Sequence, residues 1–150
     1  MPVVGISDAT RFASLRVLGE IGNSVPTSER GKKVVQAWKL NVASEARAKR
    51  GDMPWDPEDR SVVTLGFSFC PELHGGSWQR LDVENYIKPT LDALAAGLFS
   101  EPGEDLASIP QWGYDDSNFS TLLIHRLPDA PSPAVEGVAI FVSAKQFQEH

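Results

Sequence analysis

Between residues 61 and 98 the spacing of apolar residues changes once, and that change limits the folds open to the chain. In residues 61–70, SVVTLGFSFC, Val63, Leu65, Phe67 and Phe69 alternate with smaller or polar residues, which is the period of a strand with one buried face. In the run that follows, Ile87, Leu91, Leu94 and Leu98 are spaced as one face of a helix. Asn85 is the candidate N-cap of this helix, Pro89 belongs near its first turn, and Gly97 marks its end. An earlier helix is expected from Ser28 to Lys49, with Val34, Val35, Trp38, Val42 and Ala46 as its buried stripe and Gly51 as its stop signal.

Other strands are expected at residues 11–18, in the stretch after Asp115, and at residues 135–144. Residues 1–10 read as a loose terminus, 22–31 as a loop, and 100–113 as a long polar loop insertion. The order is strand, helix, strand, helix, strand, strand. It implies one domain over residues 1–150, of α+β or mixed α/β class, with a small mixed sheet and two main helices.

Composition excludes whole classes of protein. With 41% hydrophobic and 23% charged residues, the 150-residue chain is neither collagenous nor mostly disordered. No apolar run approaches the roughly 20 residues that span a bilayer, so no membrane partner is expected. The first residues lack the basic and apolar regions of a signal peptide. The single cysteine, Cys70, has no internal disulfide partner and is expected to be a buried thiol in a cytoplasmic protein.

A net charge of −6 argues against a nucleic-acid partner until its distribution is considered. Residues 11–50 hold nine bases and three acids, leaving +6, whereas the other 110 residues hold five bases and 17 acids, leaving −12. A basic face can attract a polyanion while acids elsewhere hold cations.

The chain has no Walker A loop, dinucleotide fingerprint, paired-cysteine zinc motif or nucleophile elbow. His74, His125 and His150 form no spacing pattern, and His125, in an expected strand, reads as structural. What remains is a set of carboxylates with one lysine. Asp82 and Glu84 stand two apart before the second helix, on one side of an extended segment, and Lys88 lies one helical turn beyond Glu84. Asp115 and Asp116 stand together before a strand. If that strand runs beside the Asp82 segment, the acids converge into the all-oxygen environment that magnesium favours. Helix caps and turns use the same residue types, so spacing alone leaves both readings open.

The run from Asp82 to Leu94, DVENYIKPTLDAL, followed by Asp115-Asp116-Ser117, resembles the signature of the RusA-like Holliday junction resolvases. That family shows D-x-D-N-x-x-K, then x-x-x-D-x-L, then a D-D-S-like pair before a strand. The resemblance extends over roughly residues 12–143. It implies a homodimeric endodeoxyribonuclease that cuts four-way DNA junctions in recombination and repair. Magnesium or manganese serves as cofactor, and the products carry a 5′-phosphate and a 3′-hydroxyl. It further implies that Asp82, Glu84 and Asp116 hold the metal, that Asn85 is the motif asparagine and that Lys88 is the catalytic lysine. Arg30, Lys32, Lys33 and Arg80 are the candidates for DNA contact. One of the loop tryptophans Trp55, Trp78 and Trp112 is expected at a dimer interface or near DNA, whereas Trp38 belongs to the core.

Three departures stand out. Glu84 occupies a place where aspartate is usual, the connection before Asp115 is longer than is typical, and many resolvases are basic overall. They keep a second reading open: a catalytically altered module of the same fold that binds DNA or another protein.

Overall fold

The computed structural model describes residues 5–74, 82–108, 113, 114 and 116–148. Among the described residues four strands form one sheet: β1 (Gly5–Leu18), β2 (Arg60–Ser68), β3 (Thr121–Arg126) and β4 (Gly137–Gln148). Two helices, α1 (Glu29–Arg50) and α2 (Glu84–Phe99), lie between strands in the chain. The strand order is β1-β4-β2-β3; β4 runs antiparallel to both neighbours and β2 runs parallel to β3. This mixed sheet with two main helices is the α+β arrangement expected from the sequence. Among the described residues no helix is long and apolar enough to cross a membrane.

The alternation read from residues 61–70 is the burial pattern of β2. Val63, Leu65, Phe67 and Phe69 are all buried, as is the Cys70 thiol. Ala13, Leu15 and Val17 of β1 and Val138, Ile140 and Val142 of β4 complete the covered face. The opposite face leaves Phe12 and Phe141 exposed, with ring centroids 5.9 Å apart. β1 starts at Gly5, so residues 5–10 are strand and not a loose terminus, held by pairing with the end of β4. β4 likewise runs past the expected end at 144.

α1 begins where expected, since the Ser28 Oγ accepts a hydrogen bond from the Gly31 N–H at 3.0 Å, and it ends at Gly51 with φ +88°. Its buried residues are Val35, Trp38, Val42, Ala43 and Ala46. α2 departs from its expected form in three ways. Its N-cap is Val83, which places Asn85 inside the first turn. Pro89 lies one turn in, where its missing N–H leaves the Asn85 carbonyl without its helical donor. The Ser24 N–H fills that place at 2.8 Å. Gly97 is interior, and the helix runs to a cap at Ser100.

The reason for Gly97 is close approach. A Cβ there would stand 2.5 Å from the Ala43 carbonyl oxygen and 2.6 Å from the Ala46 Cβ, so the two helices touch backbone to backbone. From Pro89 to Phe99 nearly every residue of α2 is buried, because the helix is enclosed on more than its sheet-facing side. Trp55, one of the three loop tryptophans of which one was expected at an interface or near DNA, lies in a loop as read but belongs to the core: its side chain is buried and its backbone N–H donates to the Leu98 carbonyl at 2.7 Å. Trp78 and Trp112 lie outside the described residues.

Gly97→Ala tests this packing. Helix propensity alone favours alanine by about 1 kcal/mol. Overpacking typically costs about 1–3 kcal/mol. The variant is expected to unfold at lower denaturant concentration than the parent; a higher midpoint would contradict the close contact.

Candidate active site

α2 sets out its polar residues in one stripe. Glu84, Lys88 and Asp92 follow at intervals of four, so each stands one turn beyond the last. After α2 the chain passes through a turn-rich stretch at 101–108 and returns through a 3-10 turn at Asp116–Asn118, which leads into β3. Because β3 pairs parallel to β2, the intervening chain crosses the covered side of the sheet and brings this turn beside α2.

The two motifs meet there. The Lys88 Nζ lies 3.3 Å from an oxygen of Asp92 and 3.5 Å from an oxygen of Asp116. The Asp116 N–H donates to the Asp92 Oδ1 at 3.1 Å, so Asp92 bridges the pair. Asp116 and Lys88 remain solvent-exposed, while Asp92 is largely covered. Burial works against the charge of Lys88, but the attraction of Asp92 and Asp116, with hydrogen bonds to both, holds its pKa above the ordinary value. For Asp92 burial prevails: its pKa is raised despite the pull of Lys88 and the Asp116 N–H. The two partners thus differ in what the pair does for them, and the covering of Asp92 is the deciding difference.

Asp82 and Glu84 are exposed at the start of α2, where the Asp82 Oδ1 accepts the Glu84 N–H at 3.2 Å. This is an Asx turn leading into the helix, one residue before its Val83 cap. They share an end of the helix with Lys88 but are not drawn to one point with Asp116. Among the described residues no three histidine, cysteine, aspartate or glutamate side chains stand together as a cation site. Asp115 and Arg80 lie outside the described residues.

The basic stretch is dispersed in function. Arg30 is held by Glu20 through two hydrogen bonds of 2.6 and 3.0 Å, and Lys32 pairs with Glu29 at 3.0 Å on the surface. Lys33 is exposed. Arg47 and Arg50 donate to carbonyls around the C-terminus of α2, Arg47 to Glu101 and Glu104, and Arg50 to Gly97, Leu98 and Ser100. They neutralise the carbonyl end of that helix.

Sequence reasoning missed two sets of residues. Asp92 belonged to the quoted motif and stands four residues after Lys88, which was the available signal. The second set is a buried polar chain. The fully buried Glu136 carboxylate accepts from the Ile21 N–H at 2.7 Å, the Cys70 N–H at 2.6 Å and the His74 Nε2 at 2.8 Å. The His74 Nδ1 meets the Tyr86 hydroxyl at 3.1 Å, which fastens the first turn of α2. No spacing in the sequence connects residues so far apart. His125, expected to be structural, is exposed on β3 and lines a concavity of about 630 Å³ with Arg16 and Phe141.

The chain matches no protein-family model, and no curated protein matches it.

The raised pKa of Asp92 makes the stability of the fold depend on pH. A carboxyl whose folded pKa is raised favours folding below its unfolded pKa and loses that contribution as pH rises through the folded value. Ionised Asp92 therefore weighs against folding at neutral pH. Asp92→Asn, which keeps an acceptor for the Asp116 N–H, is expected to be more stable than the parent at pH 7. The gain should shrink as pH falls into the carboxylate range. Denaturant titrations at both pH values check this, and a variant less stable at pH 7 would contradict it.

Proposed function

We propose that the chain is a metal-dependent, structure-selective endodeoxyribonuclease acting on four-way DNA junctions. The observation that carries this reading is the meeting of Lys88 and Asp116, 28 residues apart in the chain, at 3.5 Å with Asp92 between them. As a purely structural feature the Lys88–Asp92 pair has little worth, since helical pairs of this spacing contribute about 0.2–0.5 kcal/mol. As a phosphate-facing group, an exposed ammonium held protonated by two carboxylates offsets charge on a phosphodiester in the transition state.

The donors suit magnesium or manganese in type, being carboxylate oxygens, with Asp82 and Glu84 exposed and the Asp116 side chain partly so. On this reading those three would hold the ion, with Asp82 and Glu84 having to close on Asp116, from which they stand apart here. When bound, such an ion lowers the pKa of water and offsets phosphoryl charge. In the reaction, water adds to phosphorus, the bond to the 3′ oxygen breaks, and the leaving oxygen takes a proton. The resulting ends are a 5′-phosphate and a 3′-hydroxyl. Asp92 keeps Lys88 and the Asp116 backbone in register. The reading includes a homodimer, whose two sites would suit the two-fold symmetry of a junction. The cytoplasm is the compartment in which such a protein, with its one unpaired thiol, would act.

A second reading, a catalytically altered DNA-binding or protein-interaction module of this fold, is favoured by Glu84 and by the separation of Asp82 and Glu84 from Asp116. Asp116→Asn separates the two. In a nuclease it lowers junction cleavage by about 100-fold or more. It should leave junction affinity within a few-fold and weaken manganese binding by calorimetry. Cleavage at the parental rate would overturn the assignment of Asp116, and a parent protein that binds junctions without binding manganese at millimolar levels would favour the module.

A further inference from the structure

A cleft of about 390 Å³ lies between the N-terminal halves of α1 and α2. Its polar lining is Ser24 from the loop before α1, Lys32, Gln36 and Lys39 from α1, and Lys88 and Asp92 from α2. The α1 residues follow at i, i+4 and i+7, which puts them on one face by helix geometry. Three ammonium groups therefore face one carboxylate, in a chain whose net charge is −6. Lys32 is held by Glu29 only in an exposed pair, the kind that contributes little and exchanges readily. Lys39 is half-buried and pairs with no carboxylate among the described residues. Burial lowers its pKa; Asp92 pulls it up and Lys88 pushes it down. An unpaired cation in a concave, partly desolvated site is an arrangement that an anion would relieve.

We propose that this cleft binds the phosphate groups of a nucleic-acid strand through Lys32, Lys39 and Lys88. Two features favour an extended polyanion over a single small anion. Lys32 and Lys39 lie seven residues apart, about 10 Å along the helix axis. A nucleic-acid strand carries a charge about every 3.4 Å of its axis. The cleft also shares Lys88 and Asp92 with the cluster that contains Asp116, so a strand seated in it leads to the candidate active site. The inference rests on the nuclease reading for its ligand class and adds Lys39, which that reading does not include.

The test is fluorescence anisotropy of a labelled four-way junction and a linear duplex, measured over a range of salt, with cleavage of the junction followed in parallel. Lys39→Gln is expected to weaken binding to all sequences several-fold and to lower the slope of log affinity against log salt by about 0.9. Lys39→Arg should restore the slope. Lys49→Gln, at the far exposed end of α1, removes the same charge and should change neither quantity. Unchanged affinity and slope in Lys39→Gln would overturn the inference alone, as would an equal loss in Lys49→Gln. A parent protein that binds neither DNA overturns the inference together with the reading on which it rests. A Lys39-dependent binding defect without any cleavage by the parent supports the cleft and overturns the nuclease.

Discussion

Glu136, a carboxylate sealed from water, ties the fold together at one end of the sheet. A buried carboxylate is costly unless its oxygens are fully paired. Here they accept from the backbone after β1, the backbone after β2 and the imidazole of His74. Its own carbonyl takes the Gly19 N–H at 2.9 Å. One residue before β4 thereby closes the ends of both flanking strands. Through His74 and Tyr86 the same group reaches α2, so the helix that carries Glu84, Lys88 and Asp92 starts from a fixed point. Removing one partner from such a group is far more damaging than the pair's net worth suggests, because the remaining polar atoms stay buried and unpaired.

The position of the candidate site follows from that anchoring. α2 is gripped at its start by Tyr86 and by the Ser24 N–H on the carbonyl that Pro89 leaves open, and at its end by Arg47 and Arg50. Between these, Gly97 allows α1 to approach to backbone contact, and the Trp38 Nε1 donates to the Thr90 hydroxyl at 2.9 Å. The exposed stripe of α2 is left facing the turn before β3. Polar residues meet there because the apolar ones behind them are immobilised. The same packing of α1 on α2 forms the lysine-lined cleft as the outer edge of their interface.

Local periodicity was the legible part of the fold. β2, the buried stripe of α1, its Ser28 cap and its Gly51 stop were readable because each depends on neighbours in sequence. The α2 boundaries were not, since Gly97 and Pro89 look like helix breakers and are accommodated by tertiary partners, Ala43 and Ser24. The length of β1 was hidden for the same reason: residues 5–10 gain their strand from β4. At the site, Lys88 and Asp116 were legible from their motifs. Asp92 and Lys39 were not singled out, because Asp92 is set apart by its burial and Lys39 by the face of α1 it shares with Lys32. The Glu136–His74–Tyr86 chain was invisible, with partners separated by tens of residues and by no motif. Four of the nine bases that made residues 11–50 look like a DNA-facing surface are committed elsewhere: Arg11 to the Pro54 carbonyl, Arg30 to Glu20, and Arg47 and Arg50 to α2.

Lys88 and the surrounding carboxylates are proposed to form a phosphodiester-cleaving centre selective for branched DNA. The most direct measurement is cleavage of a labelled four-way junction beside a linear duplex of the same sequence, with magnesium, manganese or EDTA. Paired cuts in the junction alone, with either metal and not with EDTA, are the expected result. An intact junction under all three conditions, at protein concentrations that saturate binding, would contradict it.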